Sequence, residues 1–409
     1  MKKLISHVIS HVIGIGLCCL ALLPPFNDQI KVFNIENAVY STWQLDIPVV
    51  VNSFGWTYAV IIAGLLCTYL WFCHIRFTLK LLLSYLYLMC FFSAAPYLSF
   101  NVMLLVVPAI YLFILIKNFV DKEIIINWIV ALFWCEVCLS VLQLFGKDKL
   151  LNFDRPQPTF LGTIMQHMRS GSLFAIFAPF LLLKNKLYII PLLILAFVMK
   201  CSNFALALLG GGFVYILLSD MRKARKLTLI GSALLLGIAH SIYNIGSFQT
   251  AFTIGRIPVW GRIFNTGIGG VYHQGVLQFN NFWPGIAQSL KGWGLNLFYC
   301  LYPVLVEDAN PFAQAHFDWL QFMFEVGFIG LGLILCYAVL LAKKLYSQKR
   351  ILWICGLAII GVNMCFAFPV YQLPQTPLII LTFLALCEQN KEDTNGKGNA
   401  GGDRLSFNM

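Results

Sequence analysis

The feature that most constrains this chain is a succession of long apolar stretches separated by short connectors. We find about twelve of them in the 409 residues, most near the length of roughly 20 residues that crosses a bilayer as a helix. They lie near 9–24, 56–73, 78–96, 100–117, 124–145, 170–184, 187–200, 203–219, 227–245, 317–342, 351–368 and 373–387. Backbone groups in lipid must be satisfied internally, so segments of this kind span as helices. The pattern predicts an all-α polytopic membrane protein.

Composition and charge agree with a membrane location. Hydrophobic residues make up 59% of the chain and charged residues only 11%, against about 25% in soluble proteins. The net charge of +11 comes mainly from connectors, so we read it as topology information and expect membrane lipids, not nucleic acid, as partners. The thirteen cysteines lack metal-ligand spacing and are expected to be small core residues, and we expect no metal or cofactor.

The lysines and arginines predict the orientation. With the N-terminus in the cytoplasm, nineteen of the 28 fall inside and nine outside, which fits the positive-inside rule. Both termini are then cytoplasmic, and the first stretch is expected to be a retained span because it lacks a convincing cleavage site. We expect residues 1–387 to form a single membrane domain. The tail 388–409, rich in Gly, Asn and charge, is expected to be disordered.

Three sizeable loops, near 25–55, 146–169 and 246–316, fall outside in this orientation. The largest lies between stretches nine and ten and is rich in Gly and Phe. It also contains Trp260, Tyr272, Trp283, Trp293, Tyr299 and Tyr302. Aromatic side chains pack at membrane surfaces and stack on sugar rings. We therefore expect 246–316 to fold over the membrane as a cap.

Five outside cations lie near the predicted membrane edge, against the topological trend. They are Arg169, Lys200, Arg256, Arg262 and Lys291. An anionic substrate would explain them, because guanidinium groups bind phosphate oxygens in a bidentate manner. The alternative is that each arginine pairs with a local acid such as Asp154, Glu307 or Asp308.

The segment that follows the large loop, AHFDWLQFMFEVGFIGLG, carries the other candidate residues. Asp318, Gln321 and Glu325 are spaced by three and four positions and share one helix face, which should point into a bundle interior or a water-filled cavity. His316 lies where the loop becomes a helix, and the helix dipole there favours a neutral imidazole that can act as a general base. Alternatively, His316 only caps the helix. Asp318 and Glu325 could orient His316, bind sugar hydroxyls or satisfy polar neighbours.

Together, three segments resemble the C-terminal signature of the O-antigen ligase and O-antigen polymerase superfamily. They are GRIPVW (255–260), KGWGLNLF (291–298) and the AHFDWLQFMFEVGFIGLG helix (315–332). The signature usually reads G-R-x-x-x-W, G-x-G and A-H-N-x-x-L-Q-x-x-x-E-x-G-x-x-G. The resemblance covers about residues 155–387 and is strongest over 250–335. It implies a GT-C-like fold of about twelve transmembrane helices with a large periplasmic loop between helices nine and ten.

The resemblance implies a metal-independent inverting glycosyltransferase of the bacterial inner membrane. Such an enzyme moves a glycan from undecaprenyl diphosphate to an acceptor sugar hydroxyl, as on lipid A core, at the periplasmic face. Arg256 matches the arginine that contacts the diphosphate, and His316 matches the histidine that activates the acceptor. The substrate-binding candidates are Arg169, Lys200, Arg262, Lys291, Asp318, Gln321 and Glu325. Two positions depart from the family: Phe317 replaces the usual asparagine, and Lys200-Cys201-Ser202-Asn203 stands where Ser-Arg-Gly is expected.

Other functions fit parts of the pattern. O-antigen or exopolysaccharide polymerases and protein O-oligosaccharyltransferases differ from ligases in the acceptor, and the motifs do not separate them; the long loop favours a ligase. A transporter or flippase with twelve spans would be expected to have related halves. Here the large loop, the outside cations near the membrane edge and the candidate histidine lie mostly in the second half, and we find no such relation.

Overall fold

The computed structural model describes residues 2–22, 64–65, 75–94, 96–145, 167–199, 202–229, 231–232, 235, 290–295, 297–298, 318–365, 370 and 375–389. Within these ranges the fold is helical and contains no strand, which confirms the all-α prediction for this part of the chain. The main helices are α1 (Lys2–Leu22), α2 (Phe77–Phe91), α3 (Pro96–Phe119), α4 (Lys122–Leu144), α5 (His167–Lys184), α6 (Ile189–Met199), α7 (Ser202–Leu218), α8 (Asp318–Ser347), α9 (Ile351–Asn363) and α10 (Gln375–Glu388), with a 3₁₀ turn at Lys186–Tyr188.

Ten of the twelve predicted apolar stretches coincide with these helices. The other two, 56–73 and 227–245, fall largely outside the described residues. The boundaries differ in places: α8 continues to Ser347, whereas α9 ends at Asn363, before the predicted 368. The length of the apolar stretches therefore located the helices, while the helix ends depend on contacts that a local pattern does not contain.

The helices run alternately between two ends of one bundle. At one end, Glu388 in the last turn of α10 pairs with Arg76, which precedes α2, and with Lys344 of α8, whose Nζ lies 3.4 Å from Oε2. Lys184 at the end of α5 pairs with Glu123 at the start of α4, at 3.6 Å. We call this the basic end of the bundle; it is defined by Arg76, Lys122, Lys184, Lys344 and Arg350.

Arg350 closes the last turn of α10 at the basic end. Its guanidinium donates hydrogen bonds of 3.1–3.2 Å to the carbonyls of Leu386, Cys387 and Gln389. Leu386 O and Cys387 O belong to the last turn of α10 and have no partner inside the helix, so a cation there satisfies them and interacts favourably with the helix dipole. Arg350 and Lys122 also each lie over the ring of Trp353, at 4.4 and 4.5 Å from its centroid.

At the opposite end, which we call the site end, hydrogen bonds join the chain after α2 to the segment 290–295, α8 to the end of α9, and α9 to α5. Ala94 N–H donates to Trp293 O at 2.8 Å, just beyond α2. Asp318 N–H, at the start of α8, donates to Met364 O at 2.9 Å. Asn363 at the end of α9 reaches the second turn of α5, where its side-chain N–H donates to Ser172 Oγ at 2.9 Å.

The core between the two ends is aromatic and closely packed. Phe133 of α4 meets Phe174 and Phe177 of α5 edge to face, with ring centroids 5.8 and 5.9 Å apart. Edge-to-face pairs of this kind stabilise a core by about 0.5–1.5 kcal/mol beyond the area they bury. Gly211 lets α7 approach α9 closely, because a side chain there would overlap Ile359.

The outer surface of the bundle is also apolar. Two described helices, Lys122–Leu144 and Gln321–Ser347, are long and apolar enough to cross a membrane. Large hydrophobic side chains project outward, among them Ile190, Leu193, Ile194 and Val198 of α6 and Leu335, Val339 and Leu340 of α8. Cys19, Cys135, Cys138 and Cys336 are also exposed, so the expectation that the cysteines are core residues is wrong for these four.

Candidate active site

The polar stripe at the start of α8 faces the protein interior. Asp318, Gln321 and Glu325 are 0, 1 and 2% exposed, which confirms the expectation that this face is turned inward. The Gln321 side-chain N–H donates to Glu325 Oε1 at 3.1 Å across one helical turn. The stripe is therefore a buried acid–amide–acid row at the site end.

Asp318 connects the first turn of α8 to the chain that follows α9. One carboxylate oxygen, Oδ2, accepts from Val370 N–H at 2.9 Å. The other, Oδ1, is buried and has no hydrogen-bond partner among the described residues. A buried carboxylate oxygen without a donor is costly, so this position suits a hydroxyl or N–H supplied from elsewhere.

The helix α8 is broken just after the stripe. Gly327 has φ 67° and ψ −177°, which is not a helical conformation. The carbonyls of residues 324–326 would accept from the N–H groups of 328–330 in an unbroken helix. Here they accept from other segments: Phe324 O from Trp293 N–H at 3.0 Å, Glu325 O from Gly294 N–H at 2.9 Å, and Val326 O from the Tyr85 hydroxyl at 2.8 Å.

Two glycines permit this close backbone contact. Gly292 has φ +78° and Gly327 has φ +67°, both in the left-handed region that side chains disfavour. A Cβ on Gly292 would overlap the backbone of Glu325 and Gly327, and a Cβ on Gly327 would overlap Leu290 O. The Gly-Trp-Gly and Glu-x-Gly segments of the sequence are therefore two halves of one joint.

The joint also determines the surroundings of Lys291. Its ammonium donates to Phe92 O, at the C-terminal end of α2, at 3.1 Å. Next to it, the Trp293 ring stacks on Phe324 with centroids 6.1 Å apart. Lys291 therefore lies at the site end with a backbone partner. The contact with a substrate that the sequence predicts for Lys291 would use the other N–H groups of its ammonium.

A second buried polar row, which the sequence reasoning missed, lies on α4. Glu136, Ser140 and Gln143 are fully buried and share a face at offsets of four and seven. The antiparallel packing of Phe133 on Phe174 puts Glu136 level with the first two turns of α5. Ser140 Oγ and Asn363 Oδ1 have no partner among the described residues, as for Asp318 Oδ1. The missed signal was an acid inside an apolar stretch, which by itself marks a functional candidate.

The structure brings only some of the predicted residues together. Asp318, Gln321, Glu325 and Lys291 all lie at the site end, although Lys291 bonds to Phe92 O and not to the stripe, and Arg169 falls in the first turn of α5 at the same end. His316, Arg256, Lys200 and Arg262 lie outside the described residues, as does most of the cap loop 246–316. The described part of the chain contains no group of three or more His, Cys, Asp or Glu side chains that could hold a metal ion.

Comparisons with known protein families, curated proteins and solved structures found no match to this chain. The clearest chemical feature is a row of carboxylate and amide groups buried beside a break in α8. Such groups hydrogen-bond to hydroxyls, and the unpartnered Asp318 oxygen is available for that purpose.

Proposed function

We propose that this protein is an O-antigen ligase-like membrane glycosyltransferase. It would transfer a glycan from undecaprenyl diphosphate to an acceptor sugar hydroxyl, such as one on lipid A core. One observation carries the proposal: the Gly-Trp-Gly segment and the Glu-x-Gly helix, two of the three segments that resemble that superfamily, hydrogen-bond to each other through Trp293 and Gly294. Motifs distant in sequence meet beside the buried polar stripe, as parts of one site should.

The proposed location is the bacterial inner membrane, with about twelve spans, both termini in the cytoplasm and the site end in the periplasm. The apolar outer surface and the two long apolar helices support it. The basic connectors support the orientation, since Arg76, Lys184, Lys344 and Arg350 collect at one end. α6 has only 11 residues, or roughly 16 Å, so it would cross only together with flanking residues.

The reaction follows from the roles assigned to the side chains. His316 removes the proton from the acceptor hydroxyl, whose oxygen attacks the anomeric carbon of the donor sugar. The bond from that carbon to the phosphate oxygen breaks, and undecaprenyl diphosphate leaves with the bonding electrons. Arg256, helped by Arg169 and by Lys200 or Arg262, stabilises the charge that develops on the phosphate oxygens. Direct displacement inverts the anomeric carbon.

The stripe on α8 would hold the sugars. Carboxylate and amide groups form the directional hydrogen bonds that hydroxyls need, and in a dry site these bonds are stronger than in water. Asp318 Oδ1 and Asn363 Oδ1 have unused acceptor capacity. A sugar hydroxyl could donate to either oxygen, and the residues at the bundle end then orient the acceptor rather than perform the chemistry.

A transfer assay tests the function and the diphosphate site together. Purified protein in proteoliposomes should transfer glycan to lipid A core in the presence of a chelator, without a divalent ion. Arg256→Lys keeps the charge but loses the bidentate fork, so transfer should fall about a hundredfold or more. Arg222→Lys, the same change in an exposed connector near the basic end, is the control and should remain near the parent rate.

Three results would contradict parts of this proposal. Strict dependence on a divalent ion would contradict a metal-independent site. A transfer rate close to that of the parent in Arg256→Lys would show that Arg256 has only a structural role. Transfer only to a second lipid-linked glycan, or only to a protein acceptor, would identify a polymerase or a protein oligosaccharyltransferase instead of a ligase.

The proposed orientation has its own test. A reporter enzyme that works only in the periplasm should be active when it is fused near Gly275, in the large loop. The positive-inside rule places the face with nineteen of the 28 basic residues in the cytoplasm, and the large loop lies on the other face. Fusions after Lys223 and after Lys349 should report the cytoplasm. If a fusion near Gly275 is active only with a reporter that works in the cytoplasm, the proposed orientation is wrong, and so is a mechanism at the periplasmic face.

A further inference from the structure

The hydroxyl of Tyr85, on α2, lies inside the break of α8. Its oxygen is 2.8 Å from Val326 O, 3.1 Å from Lys291 O and 3.4 Å from Leu290 O. A hydroxyl has one proton, which goes to the nearest acceptor, Val326 O. In an unbroken helix Val326 O would accept from the N–H of Gly330, so the hydroxyl donates to a carbonyl of the helix ladder at the break.

Tyr85 is well placed to hold that position, because α2 is fixed at both ends. Arg76, just before α2, pairs with the buried Glu388 at the basic end. Beyond the other end of α2, Phe92 O accepts from the Lys291 ammonium. The Tyr85 ring itself packs against Gly330, where an added Cβ would come within 2.9 Å of it. Tyr85 thus links α2 to the segment 290–294 and to the first half of α8 through its hydroxyl, and it contacts the second half through its ring.

The two halves of α8 have different attachments. The half before the break carries Asp318, Gln321 and Glu325 and is bound to the Gly-Trp-Gly segment. The half after the break continues to Lys344, which pairs with Glu388 at the far end of the bundle. The angle between the halves therefore determines where the polar stripe lies relative to the rest of the protein.

We propose that Tyr85 is a positioning residue for glycan transfer, whose hydroxyl keeps α8 open at Gly327 and so fixes the polar stripe at the angle the reaction requires. The inference rests on the proposed function. Without the hydroxyl, Val326 O and Gly330 N–H are left to bond directly, which straightens the helix and pulls Phe324 O and Glu325 O away from Trp293 and Gly294. Displacements near 1 Å in a catalytic site cost on the order of a hundredfold in rate.

The test compares Tyr85→Phe with Tyr87→Phe. The second variant makes the same change two residues further along α2, where the hydroxyl lies against Gly64 and not in the break. We expect Tyr85→Phe to lower kcat about tenfold to a hundredfold, with the donor KM within about threefold of the parent. Tyr87→Phe should have the same kcat and donor KM as the parent. Rates are divided by the amount of protein that binds the lipid-linked donor, so a poorly folded fraction does not count.

Amide exchange gives a second readout that does not require activity. In detergent-solubilised protein, hydrogen–deuterium exchange at Trp293 and Gly294 should accelerate in Tyr85→Phe and remain unchanged in Tyr87→Phe, since the segment detaches from α8 only in the first variant. A parent-like kcat in Tyr85→Phe would overturn the inference, and so would a raised KM with unchanged kcat. Unchanged exchange would also overturn it. The proposed function would fail separately if the parent protein transferred no glycan. In that case, faster exchange at Trp293 and Gly294 in Tyr85→Phe would still show that the Tyr85 hydroxyl holds the segment on α8.

Discussion

Gly292→Ala is expected to abolish glycan transfer. The left-handed backbone at φ +78° disfavours a side chain by about 1–2 kcal/mol, and the new methyl group would overlap the backbone of Glu325 and Gly327. Backbone cannot rotate away as a flexible side chain can, so the segment must lift off α8. Lifting it breaks the hydrogen bonds from Trp293 and Gly294 that hold the helix open.

The measurement is the transfer rate per membrane-inserted molecule, and it has a matched control. Gly332→Ala lies on α8 beyond the break, where an added methyl group meets nothing within 4 Å. Alanine is favoured over glycine in a helix by roughly 1 kcal/mol, so this variant should be at least as stable as the parent and fully active. Retention of more than about a tenth of the rate by Gly292→Ala would show that the joint tolerates a side chain and is not needed for transfer.

His316→Gln is expected to reduce transfer about a hundredfold to ten-thousandfold, the usual cost of removing a general base. Glutamine can hydrogen-bond as histidine does, but it cannot take the proton from the acceptor hydroxyl. The residue precedes by two positions the first turn of α8, whose location is fixed by the bonds of Asp318 to Met364 and Val370. His316→Ala should be equally inactive while the protein still inserts and binds the donor.

The control for this variant is His7→Gln, on the exposed face of α1, which should keep the parent rate. If His316 only caps the helix, glutamine would preserve the cap and most of the activity, whereas alanine would not. A His316→Gln rate close to that of the parent therefore excludes His316 as the base. Donor binding, measured separately, distinguishes this outcome from loss of the site as a whole.

Local pattern was sufficient for the helices and for the inward face of α8. A stretch of apolar residues near 20 long has few ways to fold, and the offsets between Asp318, Gln321 and Glu325 fix a common face once a helix forms. Both conclusions use only neighbouring residues. That is why they survive comparison with the structure while the helix ends, which depend on packing, shifted by several residues.

The break at Gly327 could not be read from its own neighbourhood. The sequence around it is apolar and compatible with an ordinary helix, and a single glycine there costs only about 1 kcal/mol. What opens the helix are donors from other parts of the chain: Trp293 and Gly294 from the segment before it, and Tyr85, 241 positions away from Val326. Contacts between residues so far apart in the sequence produce no local pattern around either partner.

Glu136 is a different case, because the signal was present. A carboxylate inside an apolar stretch, followed by Ser140 and Gln143 at helical offsets, is enough to predict an inward polar face. The cysteines Cys135 and Cys138 on the same helix point outward instead. Small apolar side chains are tolerated in either direction when both the core and the surroundings are apolar, so composition could not assign them a side.

The pairing of Arg76 with Glu388 has a consequence for how the chain is assembled. The two residues are 312 positions apart, and Glu388 is also the partner of Lys344. At a synthesis rate of about 5–20 residues per second, Arg76 is added to the chain about 15–60 seconds before its counter-ion Glu388. Until then the start of α2 has a charge that burial penalises. The basic end therefore closes only after Glu388 has been synthesised, and α10, the last helix of the described ranges, then completes the packing of α2.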